Sequence, residues 1–428
     1  MKVLMLNTSD RKGGAAIAAQ RLRQALEQAG VEVTMIVRDP LRGKPDDDDP
    51  GVISVSANWW SRAINRLRFL WERWVIFCHN GFTRRDLFAV SLADTGTDVS
   101  RMKAVREADV IHLHWINQGF LSLGDLRKIA ALGKPIVWTL HDLWPVTGIC
   151  HHAWECTRYQ DLCGSCPFLH SDKPADLSRR IQQKKATLYA FATPHLVPVS
   201  EWLAEKCRES ALGENLPITR IPNPLDTSFF SPGDQQKART KLGLPADKTI
   251  LLMGAARIDD PVKGFPLLRE ALAMLPAERK QELVCVLFGA FKDQTVLSDF
   301  PVAVDWRGTV SDREVLRELY RAADIFAIPS LEDNLPNTVM EAMACATPVV
   351  GFRTGGIPEM VDHQENGYLA PRNDVPDLAR GIEWVLTHLA RATLAKNARE
   401  KILRTFSIAR VAEQYIELYA HVTIRDLS

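Results

Sequence analysis

The sequence predicts an α/β fold of two domains, each a parallel sheet covered by helices, facing each other across a central cleft. Three observations carry this. The chain has 428 residues, and at roughly 100–200 residues per domain that makes two or three domains. Short apolar runs alternate with helical segments through the first half. The same alternation restarts after a Pro/Asn-rich join at residues 221–226, with a further Pro-Gly break at 232–233. Repeated strand–helix–strand units favour parallel sheets with helices on both faces.

The elements follow in order. Residues 2–7 read as a strand, a Gly-containing loop follows, and 15–28 has helical periodicity. Residues 31–38 form the next strand, with Val33, Met35 and Val37 on one face. Strands at 109–115 and 135–140 flank a helical 123–132. After the restart, 249–255, 282–288, 324–329 and 347–352 are apolar strands, separated by helices that include 266–274 and 312–322. The last ~50 residues look helical throughout. The boundary is expected near 200–225, giving domains 1–205 and 206–407. Residues 46–49 are a short acidic loop, expected to be solvated.

Composition narrows the function classes. Apolar residues make up 46% of the chain, enough for a sizeable core in each domain. Lys and Arg number 53 against 52 Asp and Glu, so there is no global basic charge to recruit nucleic acid. The apolar run after Met1 stops at Asn7, too early for a signal peptide, and no stretch nears the ~20 apolar residues of a membrane span. A cytoplasmic location is the expectation.

The densest chemistry lies at residues 329–352. Asp333 stands eight residues before Glu341, across a polar, Pro-containing loop and a helix start. Asn337 or Thr338 is a candidate helix cap whose first-turn N–H groups would bind phosphate oxygens. Glu341 can accept hydrogen bonds from a ribose diol, and Asp333 from a sugar ring. Such acids also serve as plain capping and turn residues, and a carboxylate pair can signal hydrolysis. Upstream, Arg257 and Lys263 leave the carboxyl edge of the 249–255 strand, where two cations can neutralise a diphosphate. Two solvated loop cations is the competing view. Their pairing with the acids favours a nucleotide sugar, because a neutral glycan needs no diphosphate clamp.

In the first half, Gly13-Gly14 follows a strand and precedes a helix, a place for close backbone approach to an anion; a tight turn explains it about as well. His141-Asp142 sits directly after a strand, where a histidine can donate a hydrogen bond to a sugar or relay a proton. His112 and His114 alternate along the preceding strand. Cys150, Cys156, Cys163 and Cys166 fall in one segment, ending in Cys-x-x-Cys. They are a candidate structural zinc site, set against free thiols or a labile disulfide. The other four cysteines look like small core residues. Finally, residues 59–77 combine tryptophans and aliphatics with four arginines and one glutamate. Such a helix can lie in an anionic membrane surface; the rival reading is a core-packing helix with its arginines in water.

Taken together, Gly13-Gly14, His141-Asp142, Arg257 with Lys263-Gly264, and Asp333-x7-Glu341 followed by Ala-Met-Ala-Cys-Ala-Thr-Pro-Val-Val resemble the GT-B retaining glycosyltransferases of family 4. The segments 355–359 and 365–368 also match, and the resemblance covers most of the chain. The Trp138-Thr-Leu-His-Asp-Leu-Trp-Pro run with its four cysteines resembles the branch that makes colanic acid, other exopolysaccharides and O-antigens. The resemblance implies a UDP- or GDP-sugar donor and a glycan or lipid-linked oligosaccharide acceptor, with the chain cytoplasmic and peripheral on the inner membrane face. It implies that Arg257 and Lys263 hold the diphosphate and Glu341 the ribose. The loop from Asp333 through Asn334, Leu335 and Asn337, with Thr338 beyond it, would hold the transferred sugar. His141 would sit near the anomeric centre, and Gly13-Gly14 would close over the diphosphate or acceptor. No cofactor is implied for catalysis, and the final helix, 408–428, is expected to cross back to the first domain. The family's first motif acid is usually Glu; here the spacing assigns Asp333, with Glu332 just before it. Alternatives are a nucleotide-sugar epimerase of the same fold and a non-catalytic subunit of polysaccharide assembly.

Overall fold

A computed structural model describes residues 1–39, 49–56 and 58–425. The expected acidic loop lies outside these residues apart from Asp49, which pairs with Arg23 at 2.7 Å. The end of the last expected helix, 426–428, also lies outside them.

The chain forms two compact units. One comprises Met1–Asn223 with Val411–Ser428, the other Pro224–Arg410. Each is built on a six-stranded sheet in which all neighbours are parallel.

The first sheet contains β1 (Lys2–Ser9), β2 (Glu32–Asp39), β3 (Val52–Ser54), β4 (Val110–Leu113), β5 (Ile136–Leu140) and β6 (His195–Pro198), in the order β3-β2-β1-β4-β5-β6. Both faces of β1 are buried, as a parallel strand between helical layers requires. Leu4 and Leu6 enter one core with Ile111, Leu113 and Trp138. Val3 and Met5 enter the other with Val33, Met35 and Val37. Val411, Tyr415, Leu418, Tyr419 and Val422 of the Ile408–Arg425 helix complete that second core. The apolar period of the last helix therefore matches one face of the first sheet.

The unit border falls at 223/224 instead of 205/206. The Glu201–Glu209 helix and the segment after it belong to the first sheet, because Leu203, Cys207 and Leu212 join its core and Ile218 bridges to Leu196.

The second sheet contains β7 (Thr249–Arg257), β8 (Leu283–Ala290), β9 (Ala303–Trp306), β10 (Ile325–Ile328), β11 (Val349–Arg353) and β12 (Gly367–Pro371), in the order β12-β11-β10-β7-β8-β9. Leu251, Met253, Leu287, Ile325, Ala327 and Val350 form its core with Leu268 and Leu272 of the Phe265–Ala273 helix. In each sheet the order reverses beside the central strand, at β1/β4 and at β7/β10. Open α/β sheets bind ligands beyond the carboxyl ends of strands at such switch points. Among the described residues, no helix is long and apolar enough to cross a membrane.

Candidate active site

In the second unit the switch point gathers the acids and cations. Lys263 ends a short turn after β7, and its Nζ donates to Asp333 Oδ2 at 2.6 Å. Ser330 Oγ donates to the same oxygen at 3.3 Å. Burial disfavours the Lys263 ammonium, but the charge and hydrogen bond of Asp333, helped by Asp260, outweigh it and raise the pKa. The ammonium is therefore fixed and charged. Asp333, not Glu332, is the acid beside it; Glu332 is buried.

Two glycines hold this arrangement. Gly264 has φ +68°, and a Cβ there would stand 1.9 Å from Pro329 O. Gly355 has φ +54°, and its Cβ would stand 1.8 Å from Asp333 O. The N–H of Gly356 donates to that same carbonyl at 3.0 Å. The Asp333 loop is thus seated directly on backbone, which only glycine permits.

Arg257 lies at the end of β7 with its side chain 58% exposed, and its Nε donates to Asp259 at 3.3 Å. The two cations therefore have separate carboxylate partners. Glu341 is buried in the Asn337–Ala344 helix, where Oε2 accepts from Tyr320 OH at 2.7 Å. Tyr320 is itself fully buried. The expectation that Asn337 or Thr338 caps this helix is corrected: Pro336 is the N-cap and no side chain caps it. Its fixed φ starts the helix in place of a hydroxyl or amide. Asn334 and Leu335 are buried, so the loop's shape rests on side chains packed inward.

In the first unit, Gly13 caps the Gly14–Gln28 helix with φ 95°, a conformation favouring glycine. His141 directly follows β5, and its Nε2 lies 3.1 Å from His114 Nδ1. Behind it His112 is fully buried. Its Nε2 meets Thr139 Oγ1 at 2.7 Å and its Nδ1 meets Tyr419 OH at 2.7 Å. Thr139 in turn meets Tyr415 OH at 2.7 Å. Burial lowers His141 to about 4, against a weak pull upward from Asp142. Burial lowers His112 to about 3 and His114 well below its usual value. All three are neutral at pH 7, so His141 can donate or accept a hydrogen bond without carrying charge.

Asp142 is held by the turn that follows β5. It accepts from Trp115 Nε1 at 2.9 Å, from His151 Nδ1 at 2.8 Å and from the Trp144 N–H at 2.9 Å. Burial would raise it, but His151's charge and hydrogen bond and the Trp144 N–H bring it down to about 2. It is a structural anchor for the turn after β5. Lys185, fully buried, braces the same turn by donating to Trp144 O and Thr147 O at 2.5 and 3.0 Å.

Cys150, Cys156, Cys163 and Cys166 line one small cavity. Among the described residues, however, no group of three or more His, Cys, Asp or Glu is arranged to hold a metal ion. The arrangement gives the zinc expectation no support. Burial pushes Cys166 up to about 11 and also raises Cys163 and Cys150, which keeps them as thiols. The five-residue gap between Cys150 and Cys156, looser than the usual metal hairpin, carries a left-handed Trp154 at φ 50°.

Sequence reasoning missed Tyr320, Ser330 and the His114 contact. Tyr320 reads as one more apolar residue of a helical segment, and nothing local shows that it reaches Glu341, 21 positions on.

The family model "Glycosyltransferase Family 4" matches residues 12–229, and "Glycosyl transferases group 1" matches 234–401. A D-inositol 3-phosphate glycosyltransferase of Mycobacterium sp. (strain JLS) is 34% identical over 393 residues, covering 89% of this chain and 79% of that protein. One from Saccharomonospora viridis is 34% identical over 216 residues, 47% of this chain and 49% of the relative, so that match spans about half of each. Among solved structures, sucrose-phosphate synthase from Thermosynechococcus elongatus superposes with TM-score 0.69 at 21% identity, covering 99% of this chain and 100% of that one. Anabaena Alr3699/HepE in complex with UDP gives 0.63 at 19%, covering 98% and 100%. These structures share the fold.

Proposed function

We propose, from the premise that this chain belongs to glycosyltransferase family 4, that it moves a hexose from a nucleoside-diphosphate sugar to a glycan acceptor with retention of configuration. The family makes it a glycosyltransferase; the donor, acceptor and stereochemistry are our reading. The observation that supports it most is the Lys263–Asp333 pair, 2.6 Å apart at a sheet switch point. An ammonium and a carboxylate side by side suit a sugar diphosphate, one taking phosphate oxygens and the other sugar hydroxyls.

In this reading Arg257 and Lys263 stabilise charge building on the leaving diphosphate as the glycosidic bond breaks. The diphosphate helps deprotonate the acceptor hydroxyl, which attacks from the same face. Glu341, oriented by Tyr320, accepts from the ribose diol. Neutral His141 donates a hydrogen bond to the sugar near its anomeric carbon, and Gly13-Gly14 offers backbone N–H groups to the diphosphate or acceptor. UDP is the nucleotide of the Anabaena neighbour's complex; we carry over the diphosphate and not the base.

For the acceptor we infer a lipid-linked glycan of exopolysaccharide or O-antigen synthesis, handled at the inner membrane face. The support is the resemblance of the Trp138–Pro145 segment. A second reading has a specific observation behind it: the relatives' names favour a phosphorylated polyol, inositol 3-phosphate, as acceptor. Purified protein should be incubated with UDP- and GDP-sugars and each acceptor in turn, with products read by mass spectrometry and anomeric NMR. Transfer to the lipid-linked glycan supports the first reading, and transfer to inositol 3-phosphate alone replaces it. Interconversion of donors without acceptor would mean an epimerase.

A further inference from the structure

The Trp59–His79 helix is amphipathic but turned inside out. Its buried residues are Asn65, Glu72, Arg73 and Ile76. Asn65 Nδ2 donates to Ser56 Oγ at 2.8 Å. Glu72 Oε1 accepts from the N–H groups of Leu92 and Ala93 at 2.6 and 3.3 Å and its Oε2 pairs with Arg73 at 2.9 Å. The polar side thus fastens the helix to the unit. The apolar side does the reverse: Trp60, Ile64, Leu67, Trp71 and Trp74, spaced for one helical stripe, are 46–65% exposed. Trp59 and Phe82 extend the patch at 63% and 68%. The expectation of a core-packing helix with its arginines in water is corrected, since the apolar stripe is exposed and Arg73 is buried.

Charge identifies the occupant. Around the stripe Arg62, Arg66, Arg84 and Arg85 are exposed, while Glu72 is buried and Asp86 meets His170 at 3.4 Å. An adjoining groove of about 360 Å³, walled by Leu123, Ile181 and Leu188, carries the exposed cations Arg127 and Lys184 against one carboxyl, Asp94, whose pKa burial raises. Clustered tryptophans beside arginines suit the headgroup layer, where ring and guanidinium each find their medium. A protein partner would have to match this apolar stripe residue by residue; an anionic lipid surface needs only charge of one sign and an apolar layer beneath.

We infer that this helix is a docking face for an anionic bilayer, inserting Trp60, Leu67, Trp71 and Trp74 below the headgroups while the arginines contact lipid phosphates. The inference rests on the membrane side of the reading above. Its test needs neither donor nor acceptor, so docking and transfer fail separately. The full chain is sedimented with vesicles of phosphatidylglycerol and phosphatidylcholine, and with phosphatidylcholine alone. We expect binding to the anionic vesicles, a blue shift of tryptophan emission, and partial release by salt. The variant W60S/L67S/W71S/W74S should partition roughly tenfold or more weakly and keep a single cooperative thermal melt, because each of the four side chains is at least half exposed. R62E/R66E/R84E/R85E should lose the preference for anionic lipid. Absence of binding to anionic vesicles, or equal binding by the serine variant, overturns the inference. So does a stable dimer in sedimentation equilibrium that the serine variant dissolves, which would make the occupant a second copy.

Discussion

At the scale of residues, the decisive contact is one ammonium on one carboxylate. Lys263 and Asp333 are 70 positions apart in sequence and 2.6 Å apart in space. Replacing Lys263 by Ala leaves a half-buried carboxylate without its partner, at a stability cost of about 1–3 kcal/mol, and removes the cation proposed to meet the diphosphate. Arg257, more than half exposed, separates the two effects. Arg257→Ala should change the melting free energy by less than ~0.5 kcal/mol yet lower transfer strongly; a full-activity variant would remove Arg257 from the site. Tyr320→Phe deletes the donor to buried Glu341 and should cost about 1–3 kcal/mol in urea unfolding, with weaker nucleotide binding. No loss on either measure would show that Glu341 is held by other means. Asp333 and Glu341 were legible because their spacing brackets a helix start in the sequence. Tyr320 was not, because a hydrogen bond between two helices has no local signature.

At the scale of elements, the strands announced themselves by apolar runs bounded by Gly, Pro and Asn, and the parallel order followed from helical crossovers. Boundaries and caps did not. Pro336 took the cap position expected of Asn337 or Thr338, since a proline φ suits a helix start as well as a side-chain oxygen does. The Trp59–His79 helix was legible as amphipathic, but which side faces water depends on Ser56, Leu92 and Ala93, partners up to 21 positions away. The cysteine spacing suggested a metal, and the four cysteines line one small cavity, with no group of three or more ligands arranged for a metal among the described residues. A glycine tests the loop geometry most sharply. Gly355→Ala would force a Cβ against Asp333 O at a positive φ. It should destabilise the protein by more than ~1 kcal/mol and weaken nucleotide affinity together with stability. Wild-type affinity in that variant would detach the loop from the donor site.

At the scale of the molecule, buried His112 and half-buried His141 make stability depend on pH. His112 and His141 titrate at about 3 and about 4 when folded, against roughly 6.5 when unfolded. Between those values the unfolded chain binds more protons. Their contribution is therefore complete above about pH 6.5 and declines as pH falls toward 4. Urea midpoints should drop between pH 7 and pH 4.5, and His141→Gln should flatten part of the slope; equal midpoints would mean that these rings gain protons freely in the folded protein.

Fixed charges in the second unit are proposed to hold a nucleoside diphosphate. Isothermal titration of UDP and GDP into wild type and Lys263→Ala tests it most directly. Wild type should bind at least one nucleotide, and the variant about tenfold or more weakly, in line with 1.4 kcal/mol or more for a charged hydrogen bond. Equal affinity in the two proteins, with both folded, would contradict it.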